Sequence, residues 1–102
     1  MEFLVIERHR ESLTKDVLER VAPAMFEYLD KLEQLGKAQH WVMVGQAGGV
    51  VLFDVESNEE LATLISQSPI YPYTTREIIP LWDPSAAEGM LDQLISQMEA
   101  LE

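Results

Sequence analysis

Cysteine is absent from this chain of 102 residues, which excludes disulfide bonds, thiol nucleophiles and thiolate metal sites. Basic residues are scarce, because seven Lys and Arg stand against eighteen Asp and Glu and the net charge is −11. Nucleic acids and anionic membranes are bound by cationic surfaces. We therefore expect neither of them as a partner.

Long hydrophobic runs are also missing. No stretch approaches the roughly 20 apolar residues that a membrane-spanning helix needs. The start of the chain, Met1–Arg8, has too short an apolar run for a signal peptide and lacks a basic first part. We expect a cytoplasmic protein that forms one domain over residues 1–102.

Hydrophobic periodicity predicts alternating strands and helices along the chain. Apolar residues at three- and four-residue spacings predict a long helix that is capped by Ser12 or Thr14, continues through Pro23 and ends at Gly36. Gly45–Gly49 provides the turn between two strands, and Ser57 with Glu60 forms a capping box. The predicted strands are 3–6, 40–44, 50–55 and 75–82, and the later helices follow Ser57 and Asp83.

This order of elements is β-α-β-β-α-β with an added C-terminal helix. It predicts an α+β, ferredoxin-like fold over residues 2–82, with a four-stranded antiparallel sheet and two helices on one face. Residues 84–101 form the added helix. Because Pro80 cannot donate to a sheet ladder, the fourth strand should be an edge strand or should end there.

The strands carry apolar residues on both faces. Leu4 and Ile6 alternate with Phe3 and Val5, and Val50–Phe53 is apolar throughout. Two helices cover only one face of a sheet, and an exposed second face would form an unusually large apolar patch. Either a second copy of the chain or the C-terminal helix must cover it. We expect a homodimer with facing sheets, or a larger homo-oligomer.

Several segments together resemble the muconolactone isomerase family: Gly45, the strand end Leu52–Val55, the helix start at Glu60-Leu61 and the turn Pro69–Tyr73. The resemblance covers roughly residues 2–82. It implies a ferredoxin-like domain that pairs into a dimeric α/β barrel. It also implies cofactor-free movement of a proton within a small unsaturated lactone acid, which needs a general acid or base of near-neutral pKa and a cationic group for the substrate carboxylate.

For this chemistry the sequence offers a short set of candidates. We predict His40 as the acid or base, because histidine titrates near neutral pH, and Tyr73 and Arg76 as groups that polarise or orient the substrate. The predicted pocket residues are the aromatic side chains Trp41, Phe26, Tyr28 and Tyr71. Glu7 and Arg8 are interpreted as a salt-bridged rim at the end of the first strand.

Two other functions remain open. The first is a non-catalytic module that oligomerises or binds a small molecule, and a packed cleft at the apolar segment 21–26 of the first helix would favour it. A cofactor-free monooxygenase of the same superfamily is a further alternative. No metal or cofactor site is predicted. The two histidines are not separated by a spacing typical of metal ligands, and the carboxylates are scattered over helix surfaces.

Overall fold

The computed structural model describes residues 1–101. Its elements are, in chain order, β1 (Glu2–His9), α1 (Lys15–Gln34), β2 (Ala38–Val42), β3 (Gly48–Asp54), α2 (Asn58–Ser66), a 3-10 turn (Tyr71–Tyr73), β4 (Thr74–Leu81) and α3 (Pro84–Ala100). The strands form one antiparallel sheet in the order β2-β3-β1-β4. The predicted α+β fold is therefore confirmed, and β4 is an edge strand.

Capping residues set the helix ends. The Thr14 hydroxyl accepts from the Val17 backbone N–H at the start of α1, and Gly36 follows its end with a φ of 72°. Ser57 accepts from the Glu60 N–H at 3.1 Å. Glu60 does not complete the capping box, because its carboxylate accepts instead from the Lys37 ammonium at 2.7 Å.

One face of the sheet packs against α1 and α2 and contains the core. Val5 is fully buried, and Phe3, Val51 and Phe53 are nearly so. Leu32 from α1 and Leu61 and Ile65 from α2 close this layer. The helix-covered face therefore carries the odd-numbered residues of β1.

The other face of the sheet, which we call the open face, has no layer over it among the described residues. The strand register places the following apolar residues on it: Leu4, Ile6, Trp41, Val50, Leu52, Ile79 and Leu81. Helix α3 does not cover it in the same chain, since no described residue of α3 is buried. The molecule measures 59 × 29 × 23 Å because α3 extends away from the sheet.

The predicted bounds of all four strands differ from those observed, and in β4 the difference is one residue at each end. Strand β1 continues from Ile6 to His9, because Glu7 and Arg8 pair with Gly49 and Gly48 of β3. For the same reason β3 begins at Gly48. Strand β2 ends at Val42, where its pairing with β3 stops. Within residues 1–101 no helix has the length and hydropathy to cross a membrane.

Candidate functional site

A cavity of about 340 Å³ lies between α1 and the helix-covered face of the sheet. Its bottom is formed by β1, β2 and β3, and its side by α1. Most of its surface comes from apolar side chains, which include Leu18, Ala22, Met25, Phe26, Leu29 and Val51. Pockets of a few hundred cubic ångströms with mainly apolar walls are typical of small-molecule sites.

Glu7 brings a carboxylate to this apolar cavity. It lies on β1 between Gly49 of β3 and Arg76 of β4, two residues beyond the fully buried Val5 and on the same face. Its side chain is only 16% exposed. Burial raises the pKa of Glu7 above the ordinary 4.5, and the positive charge of Arg76 offsets part of that rise.

Arg76 stands behind Glu7 on β4. Its Nε lies 4.0 Å from Oε1 of Glu7, while Nη2 donates to the Tyr71 and Thr74 carbonyls at 2.8 and 3.1 Å and to the Thr74 hydroxyl at 3.0 Å. The guanidinium also stacks on the Tyr71 ring at 4.2 Å. These contacts fix the cation beside the carboxylate without a direct hydrogen bond to it.

His40 lies on β2 at the cavity wall. Its Nδ1 is 3.7 Å from Oε2 of Glu33 on α1, and this buried nitrogen has no hydrogen-bond partner among the described residues. Because Nδ1 faces Glu33, Nε2 is the ring nitrogen that remains for a ligand. A carboxylate beside one imidazole nitrogen helps to hold the ring in one orientation, as in many acid–base sites.

Asp30 completes a group with Glu33 and His40 in which one ligand atom from each lies within 4.8 Å of the others. The sequence did not indicate this grouping, because it depends on the packing of α1 against β2. Both carboxylates are exposed, and exposed acidic groups are commonly grouped in this way without a bound ion.

The other predicted site residues divide between the cavity and its surroundings. Phe26 and Trp41 border the cavity, although the register places the Trp41 side chain on the open face. The Tyr28 hydroxyl donates to the Leu64 carbonyl at 2.6 Å, outside the cavity. Tyr71 is exposed beneath Arg76, and the Tyr73 hydroxyl lies 3.5 Å from Nη2 of Arg20.

Glu7 is the residue that the sequence interpretation missed as a site candidate. That interpretation ended the first strand at Ile6 and placed Glu7 at a salt-bridged rim. A usable signal was present, because extending the alternation of Phe3 and Val5 by one step puts Glu7 on the buried face. The surroundings of Glu7 also depend on Arg76, which pairs with it from β4. Arg76 is 69 residues away in sequence, and no local pattern predicts this pairing.

These observations define a class: a small α+β protein with an open apolar cavity between its first helix and its sheet, and with a carboxylate and an imidazole at the wall. Residues 1–86 match the family model described as muconolactone delta-isomerase. The chain belongs to this family.

Known proteins agree with that assignment. The chain is 37% identical over 71 residues to the muconolactone delta-isomerase of Acinetobacter baylyi. The aligned residues make up 69% of this chain and 74% of the relative. It is 40% identical to that of Rhodococcus opacus over 55 residues, which are 53% of this chain and 59% of the relative.

Two solved structures share the fold. A crystal structure of muconolactone isomerase superposes with a TM-score of 0.72 at 25% identity, covering 83% of this chain and 93% of the other. A 5-chloro-2-hydroxyhydroquinone dehydrochlorinase from Burkholderia phenoliruptrix superposes with a TM-score of 0.67, covering 81% and 94%. At 19% identity the second likeness concerns the fold alone.

Proposed function

We propose that this chain is a cofactor-free isomerase that shifts a proton within a small unsaturated lactone bound in the cavity. One observation carries the proposal: the Glu7 carboxylate, which is nearly buried, lies at the wall of an open apolar cavity. A carboxylate whose pKa is raised by burial is a stronger base than an exposed one. The isomerase family of the chain supports the reaction type.

The proposed reaction needs one proton donor and one acceptor but no other reactant. The carboxylate of Glu7 takes a proton from a carbon next to the conjugated carbonyl system, and the C–H electron pair moves the double bond along the ring. The conjugate acid of Glu7 then returns the proton to the far carbon of the shifted system. If a protonated His40 donates it instead, Glu7 releases its proton to solvent and His40 takes one back, so both groups return to their starting states. The number of protons and electrons in the lactone is unchanged.

Two of the three predicted catalytic residues have a place in this proposal. His40 keeps the role of acid or base, with Glu33 beside its Nδ1. Arg76 does not line the cavity and is a positioning residue, because it acts through Glu7. Tyr73 has no part in the proposed step, since its hydroxyl is directed towards Arg20.

Proton exchange measured by NMR in D₂O tests the proposal. Muconolactone and its methyl ester are incubated with the protein, and we expect deuterium to enter the ring as the double bond moves. His40→Ala should slow the exchange by about 10²-fold or more if the imidazole transfers the proton. Absence of exchange in both lactones would contradict the isomerase, and binding without exchange would favour the non-catalytic module.

We further propose that two copies pair through their open faces. The seven apolar residues of this face lie on the side opposite the helices, and α3 of the same chain leaves them uncovered. Burying one such side chain contributes on the order of 1.5–3 kcal/mol. A homodimer with facing sheets would remove both patches from water at once.

A further inference from the structure

The proposed proton shift places negative charge on one atom of the lactone. When the Glu7 carboxylate removes a proton beside the carbonyl group, electron density moves onto the carbonyl oxygen. A hydrogen-bond donor that is directed at this oxygen stabilises the transition state, and removal of one such donor typically lowers kcat by about 10²–10³-fold. The reaction therefore requires a donor close to Glu7 in the cavity.

His9 lies next to Glu7 on the same strand and also lines the cavity. Because side chains alternate along a strand, the two residues share the helix-covered face, and their Cα atoms are about 7 Å apart at the usual rise of a strand. The backbone N–H of His9 donates to the Ala47 carbonyl at 3.0 Å, and His9 pairs with Thr74 of β4. The backbone is thus held on both sides, while the residue is exposed at the opening of the cavity.

His40 occupies a different position relative to Glu7. It pairs with Val51 of β3, which pairs in turn with Val5, on the other side of Glu7 from His9 along β1. The usual dimensions of a sheet place the His40 backbone about 10 Å across the strands and about 7 Å along them from Glu7. Glu7 therefore lies between the two imidazoles. A carbonyl beside the reacting carbon can contact His9 while the far end of the conjugated system points towards His40.

Two other polar side chains of the cavity wall are less suited to this contact. Thr74 is only 1% exposed, and its hydroxyl accepts from Nη2 of Arg76 at 3.0 Å. Oε1 of Gln46 accepts from Nε of Arg8 at 3.4 Å, which directs this side chain towards Arg8. An imidazole, in contrast, keeps at least one N–H donor whether it is neutral or protonated.

We propose that His9 is a further catalytic residue, whose ring N–H donates a hydrogen bond to the carbonyl oxygen of the bound lactone. No covalent bond forms or breaks at His9. The donor stabilises the charge that the oxygen carries while the proton is on Glu7. The catalytic effect rests on the proposed function, but the hydrogen bond itself is a property of the bound lactone and can be observed without turnover.

Two variants separate the donor from the size of the side chain. His9→Gln keeps an N–H donor, whereas His9→Leu removes it at similar volume. We expect kcat for muconolactone to fall by about 10–10²-fold in His9→Leu with little change in KM, because the donor acts mainly on charge that develops in the transition state. His9→Gln should recover a large part of this loss. Glu77→Gln is the matched control, because Glu77 lies on the open face, is 58% exposed and pairs with Arg8. Equal kcat values for the Gln and Leu variants at position 9 would overturn the inference.

The infrared band of the bound lactone tests the contact directly. Muconolactone that carries ¹³C at the ring carbonyl is bound to each protein, and subtraction of the spectrum with unlabelled lactone isolates the carbonyl stretch. Because a hydrogen bond polarises the carbonyl, we expect a lower frequency in the wild type and in His9→Gln than in His9→Leu. The same frequency in all three proteins overturns the inference. So does a wild-type frequency equal to that of the lactone in an apolar solvent, and this measurement needs no variant.

The two measurements separate this inference from the proposed function. A band that changes in His9→Leu while none of the proteins isomerises the lactone contradicts the isomerase and leaves the contact with His9 in place. Turnover by the wild type with neither a change in the band nor a difference in kcat between the variants overturns the inference alone. Circular dichroism checks the fold of both variants, and we expect it to be unchanged because His9 is exposed.

Discussion

Nε of Arg76 lies 4.0 Å from Oε1 of Glu7, across the pair of strands β1 and β4 and beside the cavity. The two groups are close enough for their charges to interact strongly, but too far apart for a hydrogen bond. Nε is buried without a hydrogen-bond partner among residues 1–101. The carboxylate is therefore held by charge while both its oxygens remain available to a ligand.

Glu7→Gln tests the carboxylate as the base. The amide has nearly the same shape but cannot accept a proton, so we expect kcat for the methyl ester to fall by about 10²–10⁴-fold, with binding of the ester retained. Steady-state kinetics and calorimetry measure the two quantities. Glu77→Gln should keep wild-type kinetics, and a Glu7→Gln variant with wild-type kcat would remove Glu7 from the mechanism.

Arg76→Gln tests the effect of the cation on Glu7. The positive charge of Arg76 lowers the pKa of Glu7 against the larger effect of burial, so its removal should raise that pKa further. Activity that depends on the ionised carboxylate should then appear at higher pH than in the wild type. Arg76→Lys keeps the charge and should give a smaller displacement. Coincident pH–rate profiles for wild type and Arg76→Gln would show that the pair is not coupled.

The same pKa predicts a pH dependence of stability. Because burial raises the pKa of Glu7, the folded protein binds this proton more tightly than the unfolded chain does. The contribution of Glu7 is therefore fully present below the unfolded pKa, and it is lost as pH rises from about 4.5 through the folded value. Urea unfolding at a series of pH values should show wild type losing stability relative to Glu7→Gln over this range. Parallel curves would contradict the shift.

Sequence and structure agree on the order of elements because apolar periodicity, caps and turns are local signals. Ser57 and Gly36 could be assigned from their neighbours alone, and the structure confirms them. For the first helix the sequence left Ser12 and Thr14 open, and the structure shows that Thr14 is the cap. The position of Glu7 depended on how far β1 pairs with β3 and β4, which is a tertiary property. The carboxylate beside His40 likewise comes from α1 through packing, so the sequence indicated His40 as a candidate but gave no sign of Glu33 next to it.

Leu52→Glu tests the proposed dimer. Leu52 lies on the open face opposite Leu4, and two facing copies would bring its carboxylates into an apolar contact, which is strongly unfavourable. We expect light scattering after size exclusion to show a dimer for the wild type and a monomer for the variant, with an unchanged circular dichroism spectrum. Ala62→Glu, on the exposed side of α2, should remain dimeric. A monomeric wild type would refute the proposal.

Gly48→Ala tests the close contact between β1 and β3 next to Glu7. A Cβ at position 48 would overlap the backbone carbonyl oxygen of Glu7 and would lie 2.8 Å from the Met43 Cε. Backbone cannot move aside cheaply, so we expect a loss of about 1–3 kcal/mol in the free energy of unfolding, together with reduced turnover because Glu7 is displaced. Urea denaturation followed by tryptophan fluorescence measures the first effect.

Gly89→Ala on α3 is the matched control, since a Cβ there meets no atom within 4 Å, and it should not destabilise the protein. Equal unfolding free energies for Gly48→Ala and the wild type would mean that the two strands separate freely at this point, and that the register does not hold Glu7 at the cavity.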